Sequence, residues 1–163
     1  MTDNSPIILW FRRDLRLADQ RAVTHAAASG RPVIALYILD EFAGGAARWW
    51  LHHSLSSLGR DLAMRGNRLV LRRGSAASII PALLGETGAR ALVFTRSPDP
   101  GVAGRDDGLA RDLRAAGIEV AIPGGNLLFP PGSIRTGAGQ GFKVFTPFWR
   151  ACRLAPAPEW PQP

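Results

Sequence analysis

The chain contains a single cysteine and, among 20 basic residues, a single lysine, Lys143. One cysteine, Cys152, excludes an intrachain disulfide, so nothing in the sequence asks for an oxidising compartment. Long apolar runs are missing too: the longest, Val33 to Leu39, falls far short of the roughly 20 residues that span a bilayer. The opening Met1 to Pro6 has neither the basic nor the apolar region of a secretory signal. These absences set a soluble, cytoplasmic protein as the expectation, with no membrane partner. No G-x-G-x-x-G follows the first apolar run and no G-x-x-x-x-G-K-[ST] occurs, so the common dinucleotide and P-loop signatures are lacking. His52 and His53 are adjacent, about 100° apart on a helix, unlike the i, i+4 pair that chelates zinc. His25 stands alone and Cys152 has no neighbouring base. Neither a nucleophile–base pair nor a metal site can be assembled from these residues.

What is present fits one folded domain. The 163 residues are 46% hydrophobic and 20% charged, an ordinary composition for a soluble chain. A domain of this size buries roughly 70% of the surface its unfolded chain exposes. The net charge is +7, and nearly all of the positive charge is arginine, the better bidentate partner for phosphate. A genome rich in G and C also favours arginine codons, and the arginines are spread rather than clustered. The charge therefore implies weak, nonspecific attraction to polyanions and no more.

Short apolar runs alternate with amphipathic stretches. Ile7 to Phe11, Val33 to Leu39, Leu69 to Leu71, Ala91 to Phe94 and Ile118 to Ile122 read as strands. Between the first two, Asp19 is placed to cap a helix with Ala22, Val23, Ala26 and Ala27 on its apolar side, ending at Gly30. Leu51, Leu55, Leu58 and Leu62 form one stripe of a helix stopped by Gly66. Ser75 caps a helix over Ala76 to Leu84, and Leu109 to Ala116 is helical. Five alternations with short connections predict a three-layer α/β/α domain with a five-stranded parallel, Rossmann-like sheet. In such sheets ligands bind beyond the carboxyl ends of the strands, which here are Arg12 to Arg16, Asp40 to Gly45, Gly74, Thr95 to Gly104 and Gly124 onward. After residue 124 the periodicity stops. Gly137, Gly139 and Gly141 read as a flexible loop, and the end is Pro-rich. The organisation expected is a core over 1–124, an irregular segment over 125–150 and a linker-like stub over 151–163.

The run Trp10-Phe11-Arg12-Arg13-Asp14-Leu15-Arg16-Leu17-Ala18-Asp19 is similar to the opening signature of the photolyase/cryptochrome family. Arg48 to Leu55, including Trp49-Trp50 and His52-His53, resembles the family's second helix. Arg105-Asp106 and Val144-Phe145-Thr146-Pro147-Phe148-Trp149-Arg150 resemble two later segments in the same order. The resemblance spans residues 7 to 150 and implies the amino-terminal α/β domain of a deoxyribodipyrimidine photolyase, a light-driven carbon–carbon lyase that repairs DNA, or of a cryptochrome. It implies an antenna chromophore, a deazaflavin or reduced folate, in or beside this domain. It also implies a larger helical domain that holds FAD and receives DNA, which the 163 residues do not include. The chain alone is then expected to be inactive and monomeric, with at most weak lesion-independent DNA binding. A self-sufficient nucleotide- or flavin-type binding module is the alternative.

For a bound antenna, the strand-end geometry points to Phe11, Arg12, Asp40, Ser97, Asp99 and Arg105. Where the family commonly shows Asn and then Tyr-Glu-Pro, this chain has Thr95-Arg96-Ser97-Pro98-Asp99-Pro100, which keeps a carboxylate at Asp99 and loses the aromatic. Arg12, Asp14 and Arg16 also fit an ion-pair and hydrogen-bond network that fixes the turn. Asp40 fits a ligand contact or a helix cap. Trp49 and Trp50 are read as packing residues rather than electron carriers, and Lys143 as a contact to the domain beyond.

Overall fold

Along the first strand, β1 (Ile7–Phe11), side chains alternate between two apolar layers, as a pleated strand requires when both its faces are covered. The computed structural model describes residues 4–39, 44–125 and 127–157. Its elements follow in the order β1, α1 (Arg21–Ala28), β2 (Val33–Leu39), α2 (Gly45–Ala63), β3 (Leu69–Arg73), α3 (Ala76–Thr87), β4 (Ala91–Phe94), α4 (Pro100–Ala115), β5 (Glu119–Ala121) and α5 (Phe145–Leu154). The strands pair in parallel in the order β3-β2-β1-β4-β5. This is the expected five-stranded parallel sheet, and its strand order reverses direction between β1 and β4.

Ile7, Leu9 and Phe11 pack with Ala22 and Ala26 of α1 and Leu51, Leu58 and Leu62 of α2. Ile8 and Trp10 pack on the other face with Ile80, Leu83 and Leu84 of α3 and Ala110 and Leu113 of α4. The leucine stripe of α2 is therefore the face it buries, with Leu55 only partly covered.

Four local readings change. Asp19 does not cap α1: it sits at φ 49°, and Gln20 takes the cap instead. The Gln20 Oε1 accepts from the amides of Ala22 at 2.6 Å and Val23 at 3.3 Å, because its extended backbone turns the amide group back over the first helical turn. α4 begins at Pro100 rather than Leu109; its first half is too polar to show an apolar stripe, but Asp99 caps it and proline opens it. A helix, α5, occupies a stretch expected to be irregular. Its periodic positions, Phe145, Phe148, Trp149 and Cys152, were present in the sequence but hidden behind Gly- and Pro-rich neighbours. Trp49 and Trp50 are not packing residues, since they are 62% and 69% exposed.

Candidate functional site

The reversal of strand order leaves a crevice beyond the ends of β1 and β4, where parallel sheets of this kind place their ligands. Because β1 alternates, the residue after Phe11 points toward α4. The Arg12 guanidinium there forms an ion pair with Asp106 of α4 and lies over the Trp10 indole, 4.4 Å from the ring centroid. Phe94 stands behind it, with its ring 5.1 Å from that of Trp10. Asp106 is buried, so the pair is largely withdrawn from water, where an uncompensated charge is expensive. Cation–π contact adds to the fit of the planar guanidinium on the indole.

The turn after β1 is a second polar cluster. Buried Asp14 accepts from the Arg12 amide at 3.3 Å and from the Gln20 Nε2 at 2.9 Å. Gln20 thus joins Asp14 to the start of α1. Arg16 donates to the carbonyls of Ala18 at 3.1 Å and Asp19 at 2.8 Å. These bonds hold the turn, and Gln20, which joins them, is a member that the sequence reading missed; only the side chain's fold-back reveals it.

Across the crevice, Arg96 makes a two-pronged bond to Asp107, at 2.8 and 2.7 Å. That bond holds the Asp107 carboxyl below the usual carboxylate range and the Arg96 guanidinium above its ordinary value. Asp99 accepts from the Val102 amide at 3.0 Å as the cap of α4. That backbone bond, a second from Gly101 and the nearby charges of Arg13 and Arg105 hold its carboxyl below the usual range too. Ser97 accepts from the Asp99 amide at 3.3 Å. The loop after β5 closes down on this rim: a Cβ at Gly125 would stand 2.8 Å from the Arg96 carbonyl oxygen. Beneath it, the Thr95 hydroxyl is buried with no hydrogen-bond partner among the described residues.

The structure therefore brings Arg12, Ser97, Asp99 and Arg105 to one end of the sheet, with Ser97 half-buried and Asp99 and Arg105 exposed. Phe11 is separated from them. Its ring has no exposed surface and faces α1 and α2, so it presents no apolar face to the crevice. Asp40 lies outside the described residues. No cluster of His, Cys, Asp and Glu among the described residues is arranged to hold a metal. No helix among them is long and apolar enough to cross a membrane.

Sheet order, crevice and turn chemistry define a doubly wound α/β domain with its polar network at the switch point. Comparison with known proteins narrows the class. The family model for DNA photolyase matches residues 7–163, and the chain belongs to that family. It is 43% identical over 160 residues to the deoxyribodipyrimidine photo-lyase of Agrobacterium fabrum, covering 96% of this chain and 33% of that protein. It is 36% identical to Cryptochrome-1 of Arabidopsis thaliana, covering 91% of this chain and 23% of that one. Among solved structures, a bacterial class III photolyase from Agrobacterium tumefaciens superposes with a TM-score of 0.93 at 42% identity, over 98% of this chain and 34% of that one. The fold is that of the photolyase amino-terminal domain, and the chain spans about a third of the length of these photolyase relatives.

Proposed function

We propose that the chain is the amino-terminal domain of a deoxyribodipyrimidine photo-lyase that repairs pyrimidine dimers in the cytoplasm. The likeness to the Agrobacterium photo-lyase, 43% identical across 96% of this chain, carries the reading and favours repair over signalling. FAD and the lesion-bearing DNA belong to the two thirds of the relatives that this chain does not span. Its own contribution is a rigid sheet and a polar rim at the strand ends. The charge of +7 adds weak, lesion-independent attraction to DNA, which falls with salt by a slope near −0.9 per phosphate neutralised. The chain by itself is a monomer.

An antenna chromophore, deazaflavin or reduced folate, needs an apolar slot and a few convergent polar groups. The described residues supply the second and not the first. Phe11 is buried, and Arg12 covers the indole face of Trp10. Ser97, Asp99 and Arg105 fit the polar edge of a ligand that borders the domain rather than one enclosed by it. The Asp99→Asn variant tests this through the fluorescence of added deazaflavin or reduced folate. Loss of a charged hydrogen bond weakens binding by roughly ten- to a hundredfold. Unchanged affinity removes Asp99 from the site.

The main reading is tested with dimer-containing DNA under blue light. The purified chain should show no flavin absorbance and no repair. Stoichiometric FAD in the chain alone, or repair by it, would overturn the assignment.

A further inference from the structure

Away from the crevice, the outer edge of the sheet holds a cavity of about 320 Å³ between β3 and the end of α3. That volume is in the range of small-ligand sites. None of the crevice residues lines it. Its origin is the edge itself. β3 pairs with β2 alone, so Val70 and Arg72, on its α3 side, have no further strand beside them. Ile34 and Val70 are only half-buried there, next to buried Leu83, whereas Ile8 on the same face of the central strand β1 has no exposed surface. An apolar floor is thus left open to water.

The walls of the cavity are held by bonds already made. Asn67 donates through Nδ2 to the Val33 carbonyl at 3.0 Å, and its Oδ1 accepts from the Arg68 amide at 2.7 Å. Opposite, the Thr87 hydroxyl donates to the Leu83 carbonyl at 2.6 Å and accepts from the Ala89 amide at 3.4 Å. At the mouth, Arg72 donates to Glu86 at 3.2 Å. The other cation of the mouth is Arg68, whose guanidinium has no hydrogen-bond or ionic partner among the described residues. A guanidinium offers a fork of donors that a carboxylate meets with two bonds.

We propose that this cavity binds a small carboxylate with an apolar, ring-bearing body. The ring lies on Ile34, Val70 and Leu83, and the carboxylate meets the Arg68 fork. Charge selects among anions. Two guanidiniums against the one carboxylate of Glu86 leave a single positive charge at the mouth, which suits a monoanion. A dianionic phosphate ester would carry its second charge toward Glu86, and like charges disfavour that partner. The walls are already bonded, so a ligand has little ordering left to impose. The site stands apart from the crevice and does not rest on the repair reading.

The test titrates 2-naphthoate into this chain and follows the backbone amides by two-dimensional NMR. Binding should saturate with a dissociation constant of about 1 mM or below, the usual yield of a ligand this small. The shifts should fall on residues 67–70 and 83–89 and spare 95–105. No saturation, or shifts centred on the crevice, would overturn the proposal. Arg68 is exposed, so Arg68→Gln leaves the fold intact and should weaken binding about fivefold or more. Arg111→Gln, at an exposed position on α4 outside the cavity, should leave binding unchanged. Equal weakening by the two variants would show that only the overall charge attracts the probe, and would overturn the site. Neutral 2-naphthamide should bind about fivefold more weakly than 2-naphthoate; equal binding would overturn the carboxylate. Tighter binding of 2-naphthyl phosphate would overturn the choice of a monoanion.

Discussion

From β1 to β5 each apolar stripe meets a partner layer, whereas the stripe of α5 faces outward. Leu58 and Phe145 are both periodic positions on amphipathic helices, yet one is 1% exposed and the other 71%. Periodicity states that a helix has an apolar side; it does not state what covers that side. In the body of the domain the sheet covers it, since every crossover lays its helix back on neighbouring strands. Among the described residues α5 follows the last strand, β5, and its aromatic stripe is left exposed.

That contrast can be broken by mutation. The largest effect should come at the crevice. Arg12→Ala leaves Asp106 as a buried charge without its partner, and should cost about 3–5 kcal/mol in denaturant unfolding. A small cost would mean that the pair is wetter than its burial implies. Leu58→Ala empties space between α2 and the sheet and should cost about 2–5 kcal/mol, while half-covered Leu55→Ala should cost less than about 2 kcal/mol. Equal costs at the two positions would shift the register of α2. Gly125→Ala forces a methyl against the Arg96 carbonyl, and overpacking of that kind costs about 1–3 kcal/mol.

Smaller effects follow at the rim and on α5. Asp99 and Asp107 have folded pKa values below the ordinary 3.8, so each adds stability that is complete above that value. The contribution is lost as pH falls through the depressed values. Asp107→Asn should therefore flatten the acid limb of a melting-temperature profile below about pH 4 and leave neutral stability nearly unchanged. An unaltered acid limb would show that the Arg96 bond contributes nothing in solution. Smallest of all, Phe145→Ala should change stability by no more than about 0.5 kcal/mol, the usual scale for exposed sites. A core-like cost there would erase the contrast between body and tail.

Much of the sheet could be read directly. β4 falls on the apolar run Ala91 to Phe94, and β2 on Val33 to Leu39, because strands buried on both faces are continuous apolar runs. Ser75 and Gly88 bracket α3 by side-chain capping and a left-handed backbone, both of which are local chemistry. The first half of α4 was illegible, since Gly101, Gly104, Arg105, Asp106, Asp107 and Gly108 carry no apolar stripe. Its cap, Asp99, was read from the sequence as a ligand carboxylate, and only the folded backbone shows that carboxylate turned onto the Val102 amide.

Apolar runs, caps and turn glycines are decided within a few residues, so the sequence by itself determined an alternating α/β chain, its parallel sheet and, through the ordered Arg12-to-Arg16, Trp49-Trp50 and Phe145-to-Arg150 motifs, its family. The pairing of Arg12 with Asp106 joins positions far apart in the chain, and it exists only because β1 and β4 lie side by side. The same holds for Phe11: a step of one residue along a strand moves a side chain to the other face of the sheet. Phe11 therefore entered the core while Arg12 entered the crevice. Local propensity cannot assign such neighbours, because they are set by the order in which strands assemble.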